Sequence, residues 1–216
     1  MSVGERMGVG IRLVRTVGLM LVCLLAYFST GCAVGVTTEV RYRPSAAPPP
    51  PSHANVVLSV VDSREPKLGG IEKDLVGQMR GGFGNPFALR EASPVSDIIA
   101  AATTDALLHS GVKALPAASR TMIVTLKKYW FDGYVSCTAK IEALVEVRDA
   151  EERSVFSQTI SGEASGAIVF APQTEAEEIF HNALAQYAGA AQAIFQSPTF
   201  QKALVPAPLA LSLSTR

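Results

Sequence analysis

The sequence predicts one small α+β domain, built from a mixed, mostly antiparallel sheet with two helices packed on one face. Two segments with helical periodicity predict the helices, and several short runs rich in β-branched residues predict the strands. Three of those runs lie between the two helices, and a polar hairpin turn joins the last two. We expect a leader over residues 1–31, a lipidated N terminus and linker over 32–54, the domain over 55–204 and a flexible tail over 205–216.

The first 31 residues are typical of a secretory signal peptide. Arg12 and Arg15 precede an uncharged apolar run over residues 17–28, which is shorter than the roughly 20 residues a membrane-spanning helix needs. The small residues Ser29, Thr30 and Gly31 follow, and then Cys32. This order predicts cleavage between Gly31 and Cys32.

Ser29-Thr30-Gly31-Cys32 resembles the bacterial lipobox, in which the cysteine sulfur receives diacylglycerol and the new amine is often acylated. Several acyl chains anchor a protein stably, whereas one is marginal. Ser29 stands where the lipobox usually has Leu, so simple secretion is the alternative. Ala33, rather than Asp, follows the cysteine, and by the same resemblance this implies the periplasmic face of the outer membrane. The covalent lipid on Cys32 is the only cofactor that we expect.

Composition excludes several classes of function. The leader carries three Arg and one Glu, so its removal from 19 basic and 19 acidic residues leaves 16 and 18, a net charge of −2. The mature chain has no surplus of basic residues, so its charge does not point to a nucleic-acid partner. Cys137 is the lone cysteine that remains after Cys23 is cleaved off and Cys32 is acylated, which rules out a disulfide scaffold.

Between Cys32 and the domain lies a proline-rich segment, Pro44–Ser52. Consecutive prolines favour an extended polyproline II conformation, so we expect a semi-rigid spacer that holds the domain some tens of Å from the bilayer, at about 3.1 Å per residue. The spacer either gives reach or is an inert stalk.

The first half of the domain contains a strand over 55–62 and two short strands, within 71–79 and 87–90, around a loop at Gly81–Asn85. Ser93 and Pro94 then open a helix with Ser93 at the N-cap, and Gly111 ends it. Its apolar stripe is Val95, Ile98, Ile99, Ala102 and Ala106.

Three strands and a helix make up the second half. The strand over 121–131 alternates at Met122, Val124 and Leu126, and the strand over 137–147 alternates most clearly, which predicts one buried face. A turn at 149–153 leads to a strand over 154–166. The last helix begins at Thr174, and Glu177 completes a capping box. Ser197 and Pro198 end it.

With these elements placed, the chain resembles the YajG-like lipoproteins of bacterial envelopes, as a pattern of elements more than of identities. The resemblance is carried by Cys32, Val57–Arg64, Leu108–Val112, Met122–Leu126, Ala139–Val147, Gly162–Gly166 and the acidic start of the last helix. It implies an outer-membrane lipoprotein without an assigned reaction. The layout is more distantly similar to auxiliary lipoproteins of envelope transport systems, which act by binding.

Four residues are candidate partner-binding residues. Asp62 and Arg64 end the first strand of the domain, where they either bind a ligand or form an Asp-capped turn with an exposed ion pair. Phe83 lies among glycines and either docks on a partner or belongs to a disordered loop. Trp130, within Tyr129–Tyr134, either completes the core or contributes to an exposed patch.

We expect no catalytic residue and no metal site. His53, His109 and His181 lack ligand spacing, and Cys137 on an apolar strand face is typical of a buried small hydrophobe. The leading hypothesis is a non-enzymatic envelope lipoprotein that binds a protein or another envelope component. The alternatives are a carrier of a small ligand or lipid in a transport system, which needs an apolar cavity, and an envelope hydrolase, which needs two or more of Asp62, Glu65, His109 and His181 to converge in a cleft.

Overall fold

The computed structural model describes residues 35–65, 72–80, 86–133, 137–169 and 172–205, all within one compact unit, Gly35–Arg216. The strands are β1 (Val36–Thr38), β2 (Ala54–Asp62), β3 (Leu75–Arg80), β4 (Pro86–Glu91), β5 (Val112–Ala114), β6 (Thr121–Gly133), β7 (Thr138–Arg148) and β8 (Ser154–Ser165). The helices are α1 (Val95–Leu108), α2 (Pro172–Phe195) and α3 (Pro198–Leu204). The α+β class with a mixed sheet is confirmed.

The sheet is organised around β6, the longest strand. One edge of β6 pairs with β7 in a long antiparallel ladder, and β8 continues the sheet beyond β7. The other edge is shared: β2 pairs in parallel with residues 121–126, and β3 pairs in parallel with residues 131–133. β5 extends the sheet from β2, whereas β4 and then β1 extend it from β3. The sheet therefore forks along this edge of β6.

The core lies between the sheet and the helices. The alternation predicted for β7 is confirmed, since every second residue from Ala139 to Val147 is fully buried. The stripe predicted for α1 is buried as well. Gly162 on β8 lets α2 approach closely, because a Cβ built there would lie 2.2 Å from the carbonyl oxygen of Ala183. Tyr129, Phe131, Phe180 and Tyr187 are among the largest fully buried side chains, and they belong to this core.

The segment predicted to be a spacer is part of the domain. Its residues 36–38 form β1, which pairs in parallel with β4, and Val40 is fully buried. The carboxylate of Glu91 accepts hydrogen bonds from the amide of Val40 and the hydroxyl of Thr38, each at 3.0 Å. The 32–54 linker is thus corrected for residues 36–54, because a buried acceptor on β4 recruits this segment to the sheet.

The proline-rich part of the same segment runs along α1. The amide of Ser45 donates to Asp105, the carbonyl of Ala47 lies 2.9 Å from Nε2 of His109, and the amide of His53 donates to Gly111. Its side chains are largely exposed, as polyproline II predicts. The segment therefore lies against the domain instead of extending away from it.

Three local predictions were wrong. Ser93 is not the N-cap of α1: Pro94 holds that position without a side-chain cap, and the Ser93 amide instead faces the Glu91 carboxylate at 3.4 Å. No capping box forms at Thr174, because α2 already begins at Pro172 and Glu177 accepts from the amide of Glu39. Cys137 precedes β7 with a positive φ of 43°, so it does not belong to the strand as predicted, although its half-buried side chain does pack against the hydrophobic core.

Candidate functional site

Asp62 and Arg64 lie at the fork of the sheet. β2 leaves the edge of β6 after Asp62, and β3 joins that edge only at Phe131. Arg64 fills the gap: its guanidinium donates to the carbonyl oxygens of Lys73 at 2.5 Å and of Leu75 and Tyr129 at 3.5 Å. Lys73 lies just before β3, Leu75 is the first residue of β3, and Tyr129 belongs to β6. A side chain therefore replaces the missing strand ladder.

The two charged side chains also bind each other tightly. Nε and Nη2 of Arg64 donate to the two carboxylate oxygens of Asp62 at 2.9 and 2.8 Å, and the Arg64 amide donates to Asp62 at 3.2 Å. The side chains are only 13% and 11% exposed. The expected Asp-capped turn is present, but the expected exposed ion pair is a largely buried one.

Electrostatics at the fork follow from this burial. Burial raises the pKa of Asp62, but the hydrogen bonds and charge of Arg64 outweigh burial, so the pKa lies below its ordinary value. Burial likewise raises the pKa of Tyr129 well above its usual range, and the charge of Glu91 raises it further. The Tyr129 hydroxyl is buried and has no hydrogen-bond partner among the described residues. Its ring stacks on Phe180 with centroids 4.6 Å apart.

Trp130 lies on the opposite face of the sheet. A bulge between Leu126 and Lys128 shifts the alternation of β6, so that Tyr129 and Phe131 turn to the helices and Trp130 turns away, half-buried. Across the ladder Trp130 is paired with Lys140, whose ammonium lies 3.2 Å from the carboxylate of Glu163. Tyr129 and Phe131 therefore lie in the core, whereas Trp130 lies on the second face.

This second face is what we call the open face. It is lined by polar and charged side chains of β7 and β8, and by a smaller number of apolar ones on β2, β6 and β7. It includes Ser59, Val61, Ile123, Trp130, Leu144 and Thr159. Val61 is 44% exposed, and Ser59 and Thr159 are exposed. The three helices pack on the other face.

Two further polar clusters had no signal in the sequence. Glu91 is 3% exposed, and its burial raises the pKa of its carboxyl, although four neighbouring hydrogen-bond donors lower it in part. His109 faces two carbonyl oxygens, with Nδ1 2.8 Å from Asp105 and Nε2 2.9 Å from Ala47, and these acceptors raise its pKa. Both clusters hold the N-terminal segment, so their partners are distant in sequence.

Three of the groups named for a hydrolase have other neighbours in the described part of the chain. Asp62 is paired with Arg64, His109 contacts α1 and the proline-rich segment, and burial and the charge of Arg43 lower the pKa of His181 on α2. Among the described residues, no three His, Cys, Asp or Glu side chains are grouped to hold a metal ion.

Gly31, Cys32 and Phe83 lie outside the described residues, so the lipidation site, the cleavage site and the aromatic loop stay predictions. Within the described ranges, no helix combines the length and apolar character needed to cross a membrane.

The fold is that of a small α+β domain with helices on one face of a mixed sheet. No family model matches the sequence, and neither does any curated protein. Among solved structures, the chain is similar to XCC0632 from Xanthomonas campestris, of family DUF330, at 15% identity and a TM-score of 0.53, over 78% of this chain and 97% of that one. This likeness shows a shared fold.

Two further structures are more distant. An uncharacterised protein matches at 13% identity and a TM-score of 0.46, over 73% of this chain and 98% of that one. A candidate lipoprotein from Caulobacter crescentus CB15 matches at 14% identity and a TM-score of 0.33, over 47% of this chain and 80% of that one. The resemblance to YajG-like proteins stays a prediction.

Proposed function

We propose that the chain is a lipoprotein of the bacterial envelope, anchored through Cys32 to the periplasmic face of the outer membrane, which binds a protein or another envelope component without catalysing a reaction. The lipobox Ser29–Cys32 supports the anchor. The open face supports binding: among the described residues no helix packs on it, and it carries Trp130 beside the charged pair of Lys140 and Glu163. A Trp in this setting is the residue type that most often dominates an interface.

The anchor is tested by acylation and fractionation. Wild type is expected to incorporate labelled palmitate and to sediment with membranes, whereas Cys32→Ser is expected to do neither, because it lacks the acceptor sulfur. Sedimentation of Cys32→Ser with membranes at the wild-type level would refute the anchor.

The open face is tested by site-specific photocrosslinking in intact cells. Crosslinkers at Ser59 and Thr159, exposed on β2 and β8, are expected to capture the same partner. A crosslinker at Gln186, exposed on α2, is the matched control for the helical face and is expected to capture none. Trp130→Ala should weaken the Ser59 adduct about tenfold or more, as truncation of an interface hot spot does. Equal capture from Gln186 would place binding elsewhere.

A carrier of a small ligand or lipid in an envelope transport system is the second candidate, on the distant resemblance alone. It requires an apolar cavity between helices and sheet. Tyr129, Phe131, Phe180 and Tyr187 occupy that space, and Tyr129 and Phe180 stack there. Binding at the surface is therefore favoured over carriage within the domain.

A further inference from the structure

The covalent path from the proposed anchor to the folded domain is very short. Val36 is the first residue of β1 and pairs with Leu89 on β4. Gly35 already lies against β4, where a Cβ would be 3.2 Å from the carbonyl oxygen of Ala88. Cys32 is four residues before Val36, and a fully extended chain covers at most about 3.6 Å per residue. An acylated Cys32 would therefore lie within about 14 Å of the sheet.

β1 begins at one particular end of the sheet, which we call the upper end. β3, β6 and β8 finish at this end, at Arg80, Gly133 and Ser165, and β4 and β7 start there. Helix α2 also starts at this end, because Gly166, just after β8, lies against Ile179. The lower end carries the turn at 149–153 between β7 and β8.

The proline-rich segment cannot lengthen the tether. Residues 39–53 follow β1 and run away from the upper end along α1, held first by Asp105, then by His109 and finally by Gly111. The prolines thus lie beside the domain, after the point at which the chain has entered the sheet. Only residues 33–35 separate the acylated cysteine from β1.

We infer that the upper end of the domain is a membrane-contact surface, which the short tether holds against the lipid bilayer while the strands run away from it. The inference rests on the proposed lipid anchor at Cys32. Val169 is a large apolar side chain, 63% exposed, in the segment between β8 and α2 at this end. The 11 residues of β7 set the height of the domain: at about 3.3 Å per residue, the turn at 149–153 lies about 30 Å further from the membrane.

Energy transfer to the bilayer tests this orientation. Lipidated protein with Cys137→Ser is labelled with a donor at Val169→Cys or at Glu151→Cys, its matched control in the lower turn. Each variant is reconstituted into phosphatidylethanolamine and phosphatidylglycerol vesicles with acceptor-labelled headgroups. Transfer from position 169 should exceed transfer from position 151 about twofold or more, given the height difference of about 30 Å. Unchanged urea midpoints confirm that the labelled variants are folded.

A longer tether supplies the second test. Inserting about 20 Gly and Ser residues between Val34 and Gly35 adds roughly 25 Å of flexible reach, so transfer from position 169 should fall toward that from position 151. Equal transfer from the two positions, or no change on insertion, would overturn the orientation while leaving the anchor intact. Vesicle binding by Cys32→Ser at the wild-type level would instead overturn the anchor, and the orientation with it.

Discussion

Replacing Arg64 with Met removes the guanidinium that closes the fork of the sheet but keeps most of the apolar volume of the side chain. Three carbonyl oxygens, of Lys73, Leu75 and Tyr129, then lose a donor, and the Asp62 carboxylate loses its counter-charge at 13% exposure. Breaking a fully buried pair by removing one partner costs about 3–5 kcal/mol, whereas an exposed pair contributes about 0–1 kcal/mol. Because some water still reaches Asp62, we expect a loss of about 2–4 kcal/mol of unfolding free energy.

The assay is urea unfolding of the mature chain with Cys32→Ser, followed by circular dichroism at pH 7. Arg41→Met is the matched control, since Arg41 pairs with Glu39 at 77% side-chain exposure, and its loss should stay within about 0.5 kcal/mol. The depressed pKa of Asp62 adds a pH signature: its stabilisation is present above the ordinary value of 3.8 and is lost as the pH falls through the folded value. If Arg64→Met costs no more than Arg41→Met, the fork does not depend on this side chain.

Three more substitutions test the packing and the two polar clusters. Gly162→Ala should lower the free energy of unfolding by about 3 kcal/mol, since the new Cβ would meet the backbone of α2. Gly189→Ala, with nothing within 4 Å of the new Cβ, should raise it by up to about 1 kcal/mol. Equal urea midpoints for the two variants would contradict this. The raised pKa of His109 means that its stabilisation is present below 6.5 and lost as the pH rises through the folded value, so His109→Gln should flatten the pH profile of unfolding in that range. The pKa of Glu91 is raised, so the stability that its neutral form contributes is lost as the pH rises above 4.5. Glu91→Gln should abolish that decline without lowering stability at pH 7.

Local pattern was sufficient to predict the elements that bury one face. The alternation of β7 and the stripe of α1 each repeat over enough residues to identify the buried side, and the structure buries those residues. The turn at 149–153 was predictable for the same reason, because it lies between two alternating runs.

Long-range pairing was not predictable from local pattern. β1 is three residues long, and it is held by pairing with β4 and by the carboxylate of Glu91, both about 50 residues away. The side on which Trp130 lies was also inaccessible, because simple alternation from Met122, Val124 and Leu126 would point position 130 toward the helices. The bulge after Leu126 reverses that assignment. The fork escaped prediction because nothing in β2 or β3 indicates that they share one edge of β6.

The proposed orientation determines how the open face meets a partner. With the upper end on the bilayer, strands β6, β7 and β8 run away from the membrane. The plane of the sheet then stands upright on the bilayer, and the open face points to the side. Trp130 pairs with Lys140, only two residues from the start of β7, so it would then lie at the end of the open face nearest the headgroups. A partner that engages Trp130 must therefore approach along the membrane, which favours another membrane-associated component over a freely diffusing one. Trp130 and the tether are thus coupled: lengthening the tether should weaken capture at Ser59 even when Trp130 is intact.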